Sequence, residues 1–281
     1  MELIQQTLTT PLTQSATLTG YIQTPSAEMP GKDHRPAILV IPGGGYTMVS
    51  DREAEPVALA YASHGFQAFV LRYSVLPVAW PAQLLEAAEA MHQIRAHADA
   101  WYLNPNQVAT LGFSAGGHLA AGLATLADQP FMVKQGYQAA DIRANTLLLG
   151  YAVVSLSATA AVHDGPDPMQ QAVHAQDGPL LKEATELQQQ VTANTPPTFL
   201  WATATDAVVP VQNSLQFASA LDQANVPFAL HIFPQGHHGL SLANAVTNGR
   251  HGNDLEPTVT PWLKLSLQWL QVTFPDAAIT A

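Results

Sequence analysis

The feature that most constrains the fold is an uninterrupted apolar run from Ala37 to Ile41, which is followed by Pro42 and three glycines. A strand with one face in water alternates polar and apolar residues, whereas an unbroken apolar run is typical of a strand buried on both faces. Such a strand needs helices on each side of its sheet. The run therefore predicts a parallel sheet inside an α/β protein.

The rest of the chain alternates strand-like and helix-like segments. Residues 1–24 predict an antiparallel hairpin, and Asn104–Asn106 predicts a turn. Further strands are predicted at 66–73, 107–112, 146–150, 198–204 and 228–233, and helices at 53–64, 82–100, 115–127, 214–224 and 262–274. This alternation predicts a doubly wound, mostly parallel sheet with helices on both faces.

One stretch interrupts the alternation. Residues 155–195 are rich in Ala and Gln and contain a Gly-Pro-Asp-Pro turn at 165–168. We interpret this stretch as a small cap insertion over the carboxyl ends of the strands, where ligands bind in such sheets. Because no linker separates a second unit, the sequence predicts one domain over residues 1–281.

Composition narrows the classes of partner. The chain has 10 basic and 21 acidic residues, a net charge of −11, and an acidic chain repels phosphate backbones and anionic lipid. Nucleic acid and membrane surfaces are therefore disfavoured as partners. With charged residues at only 11% and apolar residues at 47%, the surface leaves room for a homodimer contact.

The sequence also bears on compartment and cofactors. The chain has no cysteine, which excludes disulfides and thiolate-bound zinc. Residues 1–21 lack the basic start and apolar core of a secretory signal, and no stretch approaches the ~20 apolar residues of a membrane span. We therefore expect a cytoplasmic protein, and the chemistry described next requires no cofactor or metal.

The strongest motif is G-x-S-x-G at Gly112–Gly116, with Ser114 at its centre. A predicted strand precedes it and a predicted helix follows it. This context matches a nucleophile elbow, in which a sharp turn from strand to helix presents the serine hydroxyl above the sheet. Glycines or other small residues must flank the serine because the turn crowds the backbone. The motif predicts Ser114 as a nucleophile.

Glycines 43–45 follow the first buried strand and offer backbone N–H groups that can closely approach a substrate oxygen. A plain tight turn is the alternative. A phosphate-binding loop is disfavoured, because no Lys-Ser/Thr follows and Met48 breaks the G-x-G-x-x-G pattern. Together with the serine elbow, the glycine loop favours acyl transfer.

A serine nucleophile needs a base, and the base needs an orienting carboxylate. In this arrangement the acid follows the serine along the chain and the histidine follows the acid. Asp206 comes directly after a predicted strand, before Val-Val-Pro, and is the expected acid. The competing acids, which are Asp222, Asp254 and Glu256, lack that context.

Two adjacent histidines, His237 and His238, follow the next strand. We prefer His238 as the base, because the Gly-Leu after it gives a tight turn, and His237 is then a neighbour that shapes the pocket. Adjacent side chains point in different directions and no carboxylate cluster is near them in sequence, so a metal site at this pair is disfavoured.

As a set, these motifs resemble the α/β-hydrolase esterases, and within them the bacterial acetyl esterases and acetyl xylan esterases of the lipase/esterase group. The resemblance covers roughly residues 37–241. It is carried by segments 41–46, 71–73, 112–119, 195–201, 206–210 and 236–240. The chain departs from the hormone-sensitive-lipase-like branch at Pro42, where that branch usually carries histidine.

The resemblance implies the α/β-hydrolase fold and an oxyanion hole formed by the N–H groups of Gly44, Gly45 and Ala115. It also implies that Tyr46 and Met48 border the acyl pocket. Two other residues next to the motifs are interpreted as structural. His118 is expected to pack beneath the elbow rather than act as a second base, and Arg72 to form an ion pair rather than bind substrate.

The function expected from these residues is hydrolysis of short-chain carboxylic esters, with acetyl esters of sugars as favoured substrates. A covalent acyl-serine intermediate would carry the reaction. Two alternatives stay open at this stage. One is a serine peptidase on the same fold, and the other is a ligand-binding protein that keeps the fold without catalysis.

Overall fold

The computed structural model describes residues 1–29, 33–162, 168–174 and 178–281. Within them, eight strands form one sheet in the order β1-β2-β4-β3-β5-β6-β7-β8. The strands are Glu2–Thr7, Thr17–Ile22, Arg35–Ile41, Gln67–Arg72, Leu103–Phe113, Thr146–Gly150, Thr198–Thr203 and Phe228–Phe233, numbered β1 to β8. Strands β3 to β8 are mutually parallel, and β2 is antiparallel to both β1 and β4.

The helices lie between the strands along the chain. They are Glu55–Ser63, Ala82–Ala96, Ser114–Leu126, Pro130–Lys134, Ala139–Ile142, Leu156–Ala160, Pro168–Val173, Leu181–Thr185, Gln212–Gln223 and Trp262–Thr273, numbered α1 to α10. Short 3₁₀ turns span Asp51–Glu53 and Leu187–Gln190. The predicted doubly wound, mostly parallel sheet is confirmed.

Alternate residues of β3 face two separate cores. Leu39 and Ile41 belong to the core that also contains apolar residues of α2, α3 and α9, whereas Ile38 and Val40 belong to the core with α1 and α10. All seven residues of β3 are buried. The uninterrupted apolar run is therefore explained by helices on both faces of the sheet, as the sequence predicts.

Strand β5 differs from the prediction at its start. The segment Asn104–Asn106 does not form a separate turn, because β5 begins at Leu103, which pairs with Arg35 of β3. The register between β3 and β5 then shifts before Ala37, and the Asn106 N–H donates to Asn104 Oδ1. The turn-forming residues thus produce an irregularity inside the strand rather than an end to it.

The stretch between β6 and β7 contains α6, α7, α8 and the second 3₁₀ turn. Three of the four residues of the predicted turn, 165–167, lie outside the described residues, as do 163–164 and 175–177. A cap insertion over 155–195 and a single domain over 1–281 stay predictions. No helix in the described part of the chain is long and apolar enough to cross a membrane.

Candidate active site

Ser114 lies at a strained junction between β5 and α3. The strand ends at Phe113, the helix begins at Ser114, and Ser114 has a φ angle of 51°, in the left-handed region that non-glycine residues rarely adopt. Backbone strain of this kind is typical of a nucleophile elbow. The strand–turn–helix context predicted from the motif is present.

Close packing of the elbow explains the two motif glycines. A Cβ atom on Gly112 would lie 2.3 Å from the carbonyl oxygen of Gly116, and one on Gly116 would lie 2.1 Å from the carbonyl oxygen of Ile41. Real Cβ atoms essentially never come within 3.0 Å of such atoms. The two glycines are therefore required by close backbone contacts, which lie within the elbow for Gly112 and at the end of β3 for Gly116.

The structure brings Ser114, His238 and Asp206 together. His238 Nε2 lies 2.8 Å from Ser114 Oγ, and His238 Nδ1 lies 2.7 Å from Asp206 Oδ2. A carboxylate accepts hydrogen bonds, so Nδ1 carries the proton and Nε2 is left to accept the hydrogen bond of the serine hydroxyl. This is the tautomer that a serine–histidine–carboxylate relay requires.

The loops that carry the acid and the base are tied to each other. The carbonyl oxygen of Gly236 accepts hydrogen bonds from the hydroxyls of Thr203 at 2.7 Å and Thr205 at 3.1 Å. The N–H of Gly236 also donates to Thr205 Oγ1 at 3.0 Å. Thr205 therefore fixes the histidine loop against the end of β7.

His237 does not line the cavity beside Ser114, so its predicted pocket role needs correction. Its Nε2 lies 3.0 Å from the carbonyl oxygen of Asn253 and 3.3 Å from Asp254 Oδ1, and its Nδ1 lies 2.7 Å from the His238 carbonyl oxygen. These contacts hold the ring against Asn253 and Asp254. In the described ranges, no group of three or more His, Asp or Glu is arranged to hold a metal ion.

The glycine loop leaves two N–H groups free beside Ser114. The Gly43 N–H donates to Glu53 Oε2 at 2.7 Å, whereas the N–H groups of Gly44 and Gly45 donate to no described residue. Both of these glycines have positive φ angles, 133° and 61°, and both line the cavity with Ser114. Their placement is compatible with the predicted oxyanion role.

Ala115 is the second residue of α3, and its side chain is buried. Its backbone N–H lies in the first turn of the helix, where N–H groups have no acceptor four residues earlier in the same helix. That group is therefore a third candidate donor next to Ser114. The alanine itself does not line the cavity.

A cavity of about 520 Å³ opens beside Ser114 and His238. One part of its wall is apolar and comes from the segments after β6 and β7, and another part is polar and comes from the loop after β3. The lining residues are Gly44, Gly45, Met48, Ser50, Arg52, Glu53, Ser114, Val153, Thr159, Met169, Val208, Val209, His238 and Gly239. Met48 thus borders the cavity, as expected.

Tyr46 does not border the cavity, and the expectation that it does is wrong in this structure. Its ring is 2% exposed and packs edge-on against Tyr73 and Trp80. Its hydroxyl lies 2.9 Å from His118 Nδ1. The side chain therefore turns into the core beneath the glycine loop, because it has a buried hydrogen-bond partner there.

His118 is a buried core residue, as expected. Its Nε2 lies 2.8 Å from the carbonyl oxygen of Ala184, which can only accept, so Nε2–H donates and Nδ1 accepts the hydroxyl proton of Tyr46. Burial lowers the pKa of His118 to about 4. A neutral ring that is enclosed in this way is placed to hold α3 rather than to act as a second base.

Arg52 and Arg72 both form structural contacts with other residues of the chain. Arg52 Nε donates to the Thr247 carbonyl oxygen at 2.6 Å, and Arg52 Nη2 lies 3.1 Å from Asp254 Oδ1. Arg72 pairs with Asp51 at 2.6 Å, which agrees with its expected structural role. Both Arg52 and Glu53 line the cavity, and their sequence signal is the polar run at 50–53, which begins five residues after the last glycine of the loop.

The family model described as BD-FAE matches residues 22–221, which is more than half of the chain. The chain belongs to the BD-FAE family. The fold predicted from the sequence, the α/β-hydrolase fold, is confirmed for this BD-FAE member by full-length likeness to solved hydrolase structures.

Two solved structures match this BD-FAE member over nearly its whole length. The carboxylesterase Cest-2923 from Lactobacillus plantarum WCFS1 has 29% sequence identity, a TM-score of 0.87 and 100% coverage of both chains. The acetyl ester-xyloside bifunctional hydrolase from Caldicellulosiruptor lactoaceticus has 37% identity and a TM-score of 0.78. The match to this hydrolase covers 94% of the present chain and 89% of the hydrolase chain.

The curated relatives of this BD-FAE member are longer proteins. Endo-1,4-beta-xylanase B of Butyrivibrio fibrisolvens is 37% identical over 216 residues, which is 75% of this chain and 33% of the xylanase. The chain spans 33% to 57% of the length of the curated relatives that it matches.

Proposed function

We propose that this chain is a serine hydrolase of small carboxylic esters, in which Ser114 is the nucleophile, His238 the base and Asp206 the orienting acid. The observation that carries the proposal is the pair of contacts of one imidazole, 2.8 Å to Ser114 Oγ and 2.7 Å to Asp206 Oδ2. Ser114 and His238 both line a cavity wide enough for a small ester.

The first half of the reaction forms an acyl-enzyme. Ser114 Oγ attacks the carbonyl carbon of the ester while its proton moves to His238 Nε2, and Asp206 stabilises the resulting imidazolium. The oxyanion accepts hydrogen bonds from the N–H groups of the glycine loop and of Ala115. The carbon–oxygen bond to the alcohol then breaks, and Nε2 returns its proton to the departing alkoxide.

The second half releases the acid. Water attacks the acyl-serine, and His238 Nε2 takes one of its protons. The tetrahedral intermediate again places its negative oxygen at the glycine loop. When it collapses, the carboxylic acid leaves and the proton on Nε2 returns to Ser114 Oγ.

We infer that the favoured substrates are short acyl esters, acetyl esters of sugars in particular. The apolar wall from Val153, Val208 and Val209 suits a short acyl chain, and the polar wall from Ser50 and Arg52 suits a hydroxyl-rich alcohol. The names of two relatives, an acetyl ester-xyloside hydrolase and a xylanase, support a sugar as the alcohol.

A fluorophosphonate probe tests the reaction class. The probe should label the wild-type chain covalently, and Ser114→Ala should abolish the labelling. The absence of labelling in folded wild-type protein would instead support a ligand-binding protein without catalysis. Hydrolysis of p-nitrophenyl esters of rising chain length, beside acetylated xylose and a peptide p-nitroanilide, then separates an esterase from a peptidase.

Two further features stay predictions from composition. We propose a cytoplasmic location, which fractionation of the native host with an antibody against the chain would test. We also propose a homodimer, which light scattering during gel filtration would test directly. A monomer mass at micromolar concentration would contradict the dimer.

A further inference from the structure

Glu53 is a buried carboxylate in the wall of the cavity beside Ser114, and its side chain joins two separate loops. The residue is only 4% exposed, and both carboxylate oxygens are occupied. Oε2 accepts the N–H of Gly43 at 2.7 Å, and Oε1 accepts the hydroxyl of Tyr151 at 2.7 Å. These contacts link the glycine loop after β3 to the segment after β6.

Through Oε2, Glu53 determines which N–H groups of the glycine loop are free. Gly43 is held between the Glu53 carboxylate and the elbow, since a Cβ atom there would lie 2.8 Å both from Glu53 Oε2 and from Ser114 Cβ. Because the Gly43 N–H is engaged, it cannot serve as an oxyanion donor. The two glycines that follow it are left to offer their N–H groups to the cavity.

Through Oε1, Glu53 reaches the histidine loop by way of Tyr151. The Tyr151 hydroxyl oxygen accepts the N–H of Ser241 at 3.0 Å, three residues after His238. The Tyr151 ring also packs edge-on against the His238 imidazole, with a centroid separation of 5.1 Å. The carboxylate therefore holds, directly or through one tyrosine, both the oxyanion loop and the base.

The electrostatic setting favours this bridging role. No Lys, Arg or His nitrogen of the described ranges lies within 4 Å of the Glu53 carboxylate, and the adjacent Arg52 pairs with Asp254 instead. Two hydrogen bonds therefore stabilise the carboxylate, and such charge-assisted bonds are strong. Burial and the charge of Glu53 raise the pKa of Tyr151, which keeps its hydroxyl protonated as the donor.

We propose that Glu53 is a positioning residue for the oxyanion hole, which fixes the glycine loop relative to the histidine loop by bridging Gly43 and Tyr151. The inference rests on the proposed ester hydrolysis at Ser114. We assign Glu53 no proton transfer, because in the described residues no hydrogen bond joins its carboxylate to Ser114 or His238. Its effect is on the placement of the N–H groups that meet the oxyanion.

The test compares Glu53→Ala and Glu53→Gln with the wild type. Glu55→Gln is the matched control, because Glu55 is two residues away and exposed. Each variant is assayed for kcat and KM on p-nitrophenyl acetate, and for the rate of fluorophosphonate labelling at Ser114. All assays are run at a temperature where circular dichroism shows the variant folded.

A displaced oxyanion donor should lower kcat with little effect on KM. For Glu53→Ala we expect kcat to fall about 100-fold and KM to change less than about threefold, with labelling slowed in parallel. For Glu53→Gln we expect kcat to fall about tenfold. The amide oxygen can still accept the Gly43 N–H, but the amide NH₂ cannot accept the hydrogen bond of the Tyr151 hydroxyl. Glu55→Gln should match the wild type.

The inference would be overturned if the Glu53 variants were less stable than the wild type but kept kcat within twofold of it, or if only KM changed. If Glu53→Ala does not fold, the result for Glu53→Gln alone tests the inference. An inactive and unlabelled wild type would instead remove the proposed function. An active wild type with equally active Glu53 variants removes only the role of Glu53.

Discussion

Asp206 holds His238 with one carboxylate oxygen and its own loop with the other. Oδ2 lies 2.7 Å from His238 Nδ1, while Oδ1 accepts the N–H groups of Val208 and Val209 at 2.9 Å each. The carboxylate therefore cannot rotate without breaking two backbone hydrogen bonds. Its fixed orientation keeps the imidazole in the tautomer whose Nε2 accepts the serine hydroxyl.

Asp206→Asn should preserve the fold but impair the reaction. The amide oxygen can keep the two backbone bonds, and the amide NH₂ then faces Nδ1 and favours the wrong tautomer. We expect kcat on p-nitrophenyl acetate to fall about 10⁴-fold, as in other serine triads. Asp222→Asn, at an exposed position of α9, is the control and should have wild-type kcat. A loss below tenfold in Asp206→Asn would contradict the assignment.

The adjacent histidines should differ sharply when each is replaced by alanine. His238→Ala removes the group that contacts Ser114 and should lower kcat by roughly 10⁴-fold or more. His237→Ala removes contacts to Asn253 and Asp254, and kcat should fall less than about tenfold because the base stays in place. Steady-state kinetics of both variants test this assignment. A larger loss of kcat in His237→Ala than in His238→Ala would make His237 the base instead.

The two free glycines should respond differently to alanine. A Cβ atom on Gly44 would lie 2.1 Å from the Met48 carbonyl oxygen, so Gly44→Ala must move the loop, whereas the nearest atom to a Cβ on Gly45 is 3.9 Å away. For Gly45→Ala we expect only the left-handed backbone penalty, about 1–2 kcal/mol in urea denaturation. Gly44→Ala should lose more stability and lower kcat about 100-fold. Equal losses in the two variants would argue against this placement of the loop.

Stability should fall with acidification because of His118. Its pKa is about 4 in the folded chain against an ordinary 6.5, so between these pH values the unfolded chain binds a proton that the folded chain does not. This contribution to stability is complete above pH 6.5 and is lost as the pH falls to 4, a change of about 3 kcal/mol.

Urea denaturation of His118→Gln at pH 7 and pH 4 measures that contribution. The variant should be less stable than the wild type at pH 7, because it loses the paired contacts to Tyr46 and Ala184. The loss of stability between pH 7 and pH 4 should also be smaller in the variant than in the wild type, by about 3 kcal/mol. His92→Gln, at an exposed position of α2, should keep the wild-type pH dependence. An unchanged slope in His118→Gln would contradict the low pKa.

The sequence predicted the sheet well because its central strands are buried on both faces. Thr146–Gly150, which is buried throughout, has the predicted bounds, and the strand before Ser114 ends one residue beyond its predicted end. The partly buried edge strand Phe228–Phe233 also has the predicted bounds. The motif order along the chain was also sufficient to select Ser114, Asp206 and His238 as residues that meet. Strand ends in a parallel sheet share one edge, so their order and position carry spatial information.

Side chains in loops were harder to predict, because their direction depends on contacts made far along the chain. Asp51, Glu53 and Glu55 are acids within five residues, yet only Glu53 is buried, through its contacts with Gly43 and Tyr151. Tyr46 likewise turns inward because His118, 72 residues away, offers an acceptor. No local pattern distinguishes these positions.

Part of the cavity wall comes from outside the segments that carry the proposed reacting groups. Thr159 and Met169 belong to the excursion between β6 and β7, which carries none of Ser114, Asp206 or His238. A mutant library confined to Thr159 and Met169 would therefore alter the cavity wall while leaving those three residues and the Glu53–Tyr151 contact in place. Under the proposed function, these two positions offer a route to new ester preferences by directed evolution that does not alter the reacting groups.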